Sequence, residues 1–145
     1  PLAAAPAPGA TATVSGGALP ILVIKSPAGA EKVKTSNEYE IIGYALDPNA
    51  APNQGSQGTG INRVSVYMDA DKDDPKSTFL GDAELGYSDE DARTRYGERF
   101  ASSGWRLRFK PTTFHSGFHQ LFVYAHSVVT GKEELETRGF DIVES

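Results

Sequence analysis

The chain has 145 residues, enough for one domain and short for two. It contains no cysteine, which excludes a disulfide framework, thiol catalysis and cysteine-based zinc sites. The net charge is −5, and Lys25 is the only charged residue before Glu31, so residues 31–145 carry −6; nucleic acid and anionic membranes are therefore poor partners.

The first 20 residues, PLAAAPAPGATATVSGGALP, carry no charge. Their Ala, Pro, Gly, Thr and Ser content is that of a linker or stalk rather than a core. Such a start is expected of a mature protein after cleavage or of a piece of a longer one. Residues 21–145 then form the globular unit. No apolar run reaches the ~18 residues a membrane span needs, so membrane insertion is not expected.

From Ile21 the apolar period is two, the period of strands. ILVIK (21–25) is a first strand. YEIIGYALD (39–47) is a second, with Tyr39, Ile41, Gly43 and Ala45 on one face. A polar loop, DPNAAPNQGSQGTG (47–60), is dense in turn residues. INRVSVYMD (61–69) alternates Val64, Val66 and Met68 against Arg63, Ser65 and Tyr67. FLGDAEL (79–85) puts Asp82 and Glu84 on its outer face. WRLRF (105–109) points Trp105, Leu107 and Phe109 inward. FHQLFVYAHSV (118–128) and LETRGFDIV (135–143) complete seven strands, which predict an antiparallel two-sheet sandwich.

One segment departs from the period. SDEDARTRYG (88–97) predicts a short helix, with Ser88 as N-cap and Asp91 in the capping-box position. Asp89–Arg93 and Asp91–Arg95 are i,i+4 pairs with the acid leading, and Gly97 is placed to end the helix.

Motifs for chemistry are sparse. DADKDD (69–74) sets Asp69, Asp71 and Asp73 at the 1,3,5 spacing of a calcium loop. Position 6 is Asp74 rather than Gly and position 12 is Leu80 rather than Glu, so the loop is a weak calcium candidate and a solvated acidic turn is preferred. The pairs Asp82–Glu84 and Glu134–Glu136 are expected on outer strand faces, where solvation and edge protection explain them better than glycosidic catalysis. GSQGTG (55–60) precedes a strand and lacks the order of a dinucleotide fingerprint. No cofactor, metal or catalytic residue is assigned, and an enzyme is not expected.

IKSPAG, YEIIGYALD, GTGINRVSVYMD, FLGDAELGYSDEDARTRYGERFASSGW and SGFHQLFVYAHSVVTG together resemble the bacterial immunoglobulin-like domains of secreted and cell-surface proteins. The resemblance runs from about Ile21 to Val143 and is similar to a subgroup with a short helix inserted between two strands. It implies an all-β immunoglobulin-like sandwich acting as a spacer, stalk or binding module. The sequence departs from antibody-type domains, because Leu121 stands where their cysteine would.

All three histidines, His115, His119 and His126, fall between residues 115 and 126. Alternation along a strand turns His119 and His126 to opposite faces, and His115 lies in the preceding turn, so a shared metal is not expected. By the resemblance, His119 fills the tyrosine-corner position, whose ring bonds nearby backbone. The same resemblance pairs strand 118–128 with the strand bearing Tyr67. Tyr67, Phe122 and Tyr124, with His126 on the same face, then form an aromatic patch outside the core. The expected cover is the 88–97 helix and its loop; the alternatives are a glycan, a neighbouring subunit or the chain's own N-terminal segment.

The resulting expectation is a structural subunit or module of an extracellular bacterial assembly, a fibre, stalk or surface layer. It would associate with itself or with another surface protein. Leu2, Thr11, Thr13 and Val14 of the N-terminal extension would contact a neighbour, ATATVS adding as a strand to an open sheet edge. The alternative is an adhesion module that binds carbohydrate or another ligand.

Overall fold

The computed structural model describes residues 19–35 and 38–144. The described residues form nine strands and one α-helix. In chain order these are β1 (Ile21–Ser26), β2 (Glu31–Lys34), β3 (Tyr39–Leu46), β4 (Ile61–Met68), β5 (Thr78–Asp82), β6 (Glu84–Tyr87), α1 (Glu90–Tyr96), β7 (Gly104–Phe109), β8 (Gly117–Ser127) and β9 (Glu133–Val143). They make two sheets, a four-stranded one in the order β1-β3-β7-β6 and a five-stranded one in the order β2-β9-β8-β4-β5. This is the strand division of an immunoglobulin-like sandwich.

The two strands beyond the expected seven have physical reasons. At the Ser26–Pro27 bond, which is cis, the chain leaves the four-stranded sheet. It then lays β2 parallel to β9 in the other sheet, Glu31 opposite Phe140 and Lys34 opposite Val143. EKVK carries only one inward apolar side chain, Val33, which is too few for a period to show. The stretch 79–85, expected as one strand, divides at Ala83. Before it, β5 pairs with β4; after it, β6 pairs with β7 in the opposite sheet. Ala83 is buried at the corner, where its N–H donates to the Val64 carbonyl at 2.7 Å. Apolar alternation reads the same through such a corner, so the change of sheet leaves no mark on it. Asp82 and Glu84 therefore belong to different sheets rather than to one strand face.

Between the sheets, Leu22, Ile24, Ile41, Trp105 and Phe109 meet Val64, Val66, Met68, Leu121, Val123, Phe140 and Ile142. Gly43 is required here: a Cβ at this position would lie 2.1 Å from the Val23 carbonyl oxygen and 2.5 Å from the Trp105 ring. On the opposite face of β3, Tyr44 and Leu46 pack with Ala92 of α1 and with Phe100. The helix therefore covers the outer face of the four-stranded sheet, not the aromatic face of strand 118–128 as expected. The apolar residues on both faces of β3 demand that cover.

The helix is shorter than expected, and its N-cap is Asp89 rather than Ser88. Asp89 Oδ1 accepts from the Ala92 N–H at 3.0 Å, while Oδ2 lies 3.3 Å from Lys25 Nζ. Asp89 is buried and Ser88 exposed. The reason is tertiary: β1 brings Lys25 over the helix start, where it also lies 3.0 Å from Asp91. Arg93 pairs with Glu90 and Glu98 instead of Asp89.

Candidate functional site

The outer face of the five-stranded sheet gathers the aromatic residues. Tyr67 of β4 stands opposite Phe122 of β8, and across the other edge of β4 it stands opposite Phe79 of β5. Directly opposed residues share a face, so Phe79, Tyr67 and Phe122 form one row across three strands. Tyr124 follows in the adjacent row, between Ser65 and Leu135. The Tyr67 and Phe79 rings lie 5.0 Å apart, and Tyr67 meets Tyr124 edge-on at 5.8 Å and 89°. Phe79 is 54% exposed and Phe118, further along β8, 66%. Phe118 lies over Gly139, where a Cβ would come within 2.9 Å of its ring.

Tyr124 is the one ring of the row's neighbourhood that is buried, and the acidic loop covers it rather than the helix. The Tyr124 hydroxyl accepts from the Lys72 N–H at 3.1 Å, and Lys72 Nζ stands 4.9 Å from the ring centroid. Lys72 then pairs with Glu133, which also faces Arg63 at 3.3 Å. Burial works to raise the Glu133 carboxyl, but Lys72 and Arg63 outweigh it and hold it below its ordinary range. The hydrogen bond to Glu133 raises the Lys72 ammonium against a smaller opposing effect of burial. His126 lies at the end of this face, opposite Arg63 and Glu133, and its Nδ1 donates to Asn62 Oδ1 at 2.7 Å. It is tied to that charged margin rather than to the aromatic row.

Phe79 is the member that sequence reasoning did not single out. Its register against Tyr67 follows from a bulge between Val66 and Tyr67, and a bulge shifts pairing without changing composition. The surface Phe in a short edge strand was the available signal. Leu2, Thr11, Thr13 and Val14 lie outside the described residues.

The histidines and acidic residues are committed locally. His119 is buried in the core; its Nδ1 lies 2.8 Å from Asp69 Oδ2, and its Nε2 lies 2.8 Å from the His115 carbonyl oxygen. Asp69 Oδ1 accepts from the Gln120 N–H at 3.1 Å. Both oxygens of Asp69 are thus held by β8, whereas Asp71 accepts from the Asp73 N–H within its own turn at 3.2 Å. Among the described residues, no three histidine, aspartate or glutamate side chains gather to hold a metal ion. No helix among them is long and apolar enough to cross a membrane.

No family model and no curated protein sequence matches the chain. Several solved structures do. The fibronectin(III)-like modules of CbhA from Clostridium thermocellum align over 87% of the chain at TM-score 0.52 and 13% identity, covering 47% of that structure. The endo-β-1,4-mannanase of Thermotoga petrophila aligns over 88% at 0.54 and 12%, covering 20% of it. The SrpA adhesin of Streptococcus sanguinis aligns over 88% at 0.51 and 8%, covering 58% of it. The chain thus spans less than two thirds of each. At these identities the likeness is one of fold alone: the chain is an immunoglobulin- and fibronectin-III-like β-sandwich.

Proposed function

We propose that this chain is a non-catalytic structural module of an extracellular bacterial assembly, a fibre, stalk or surface layer, whose copies meet through the outer face of the five-stranded sheet. The single observation that carries the reading is the Phe79–Tyr67–Phe122 row, with Phe79 exposed and Tyr67 and Phe122 half-buried, on a sheet whose other face already supplies the core. A partly exposed aromatic row marks a contact surface. Tyr67 stands tilted to Phe79 within the row and edge-on to Tyr124 beside it, which suits interdigitation with side chains of a second sheet more than a flat platform does. The mixed charges at its margin, Arg63, Lys72 and Glu133, allow two copies to meet without like charges being forced together. The N-terminal extension, with Leu2, Thr11, Thr13 and Val14, is the second contact in this reading, engaging an adjacent copy.

Light scattering on the purified chain tests it. The expected outcome is a species larger than a monomer, with Tyr67→Ser combined with Phe122→Ser shifting it toward monomer while far-UV circular dichroism stays unchanged. Deleting residues 1–19 is expected to weaken association without unfolding the sandwich. A chain that is monomeric at every concentration, with or without the substitutions, overturns the reading.

A further inference from the structure

A second surface, at the edge where the chain passes from β5 to β6, carries a further inference. Strand β6 pairs with β7 only from Arg106 back to Gly104. Beyond Arg106, β7 continues to Phe109 against β3, while the chain on the β6 side has turned the Ala83 corner into the other sheet. Where the partner strand stops, a cavity of about 660 Å³ opens, with Leu107 in its lining. That volume is in the range of small-ligand sites.

The lining is charged but nearly balanced. Glu40, Asp82 and Glu84 face Arg106 and Arg108. The Arg106 guanidinium lies over the Tyr87 ring at 4.4 Å, and its Nε is buried with no hydrogen-bond partner. Its contact with Glu40 is a distant 3.9 Å, and Arg108 Nε lies 3.4 Å from the same carboxylate. Asp82 uses one oxygen to accept from Ser65 Oγ at 2.7 Å, and Glu84 uses one to accept from the Tyr87 hydroxyl at 2.8 Å. The groove therefore presents spare donors on the arginines beside spare acceptors on the carboxylates.

We propose that this groove binds a neutral saccharide. An anionic ligand would meet three carboxylates and a cationic one two guanidiniums. A neutral polyol meets neither difficulty. Each sugar hydroxyl both donates and accepts, so neighbouring hydroxyls can span a guanidinium and a carboxylate together. The apolar face of the ring can rest on Leu107. A peptide added as a strand fits less well, because the free edge beyond Arg106 is only Leu107–Phe109 and its surroundings are charges rather than alternating side-chain pockets.

The test uses the full chain, labelled with ¹⁵N, and a panel of neutral β-1,4-linked hexasaccharides of glucose, mannose, xylose and N-acetylglucosamine. The expected result is saturable amide shifts confined to residues 84–87 and 106–108 with at least one sugar. Arg106→Ala, and the milder Glu84→Gln, are expected to weaken binding roughly tenfold, the loss of a charge-assisted hydrogen bond, with unchanged circular dichroism. Tyr67→Ser is expected to leave it as it was, which separates this site from the contact between copies. No shift with any sugar, shifts at Tyr67 and Phe122 instead, or binding insensitive to both groove substitutions overturns the proposal; so does an uncharged peptide that shifts residues 106–109 where the sugars do not.

Discussion

His119 sits in the core between two acceptors, the Asp69 carboxylate and the His115 carbonyl. The ring is therefore a strut: its two nitrogens tie the end of β4 and the turn before β8 to one another. Asp69 adopts a left-handed backbone, φ 73°, to reach it, a conformation that Asp tolerates better than most residues. His119→Phe keeps the ring volume against Phe114 and Phe140 but donates nothing. It is expected to cost about 2 kcal/mol in urea unfolding, because the Asp69 carboxylate and the His115 carbonyl both lose their ring partner; Asp69→Asn, which can still accept from the Gln120 N–H, is expected to cost less. An unchanged midpoint for His119→Phe would mean the ring is a bystander. Tyr39 makes a second residue-scale prediction. Its hydroxyl donates to Glu31 Oε2 at 2.9 Å and lies 2.6 Å from Ser26 Oγ. Burial above all, with Glu31, pushes the phenol up to about 12 from 10.0, against the opposing bond from Ser26. The unfolded chain gives up this proton near pH 10 while the folded one keeps it to about pH 12. The contribution is full below pH 10 and is lost as pH rises from 10 to about 12. Thermal melts across that range are expected to fall less steeply for Tyr39→Phe than for the native chain.

At the scale of elements, the helix shows why position in a capping pattern differs from position in the fold. Ser88 and Asp89 are both good caps by residue type. Only Asp89 faces the Ala92 N–H with one oxygen and Lys25 with the other. Lys25 is raised by its hydrogen bond to Asp91 first, against burial, and by Asp89 after that, so β1 and the helix start are joined electrostatically. Asp89→Ala is expected to destabilise the chain by about 1 kcal/mol in denaturant titration, while Ser88→Ala stays within ~0.5 kcal/mol. Equal losses from the two would return the cap to Ser88. The strands divide along the same line. WRLRF reads as a strand from its alternation, and Trp105 and Phe109 are indeed buried. EKVK does not, because its place is given by β9 alongside it rather than by its own pattern.

For the whole molecule, the sequence by itself determined that this is an all-β sandwich with one inserted helix. Inward apolar side chains must alternate along a half-buried strand, and that period is a local property of the chain. The inward place of His119 and its bond to nearby backbone were legible from the resemblance, and the structure identifies the His115 carbonyl as the backbone partner. The Tyr67–Phe122–Tyr124 face was legible once the pairing of two strands was assumed. What only the tertiary structure decided is which surface covers which. The helix went to Tyr44 and Leu46, Lys72 went to Tyr124, and Phe79 joined the exposed row through a bulge. The groove beside β7 exists because the chain changes sheets at Ala83, a turn that alternation passes through unchanged. Cover, register and sheet membership depend on contacts between residues far apart in the chain, and a period measured along one strand carries no record of its neighbours.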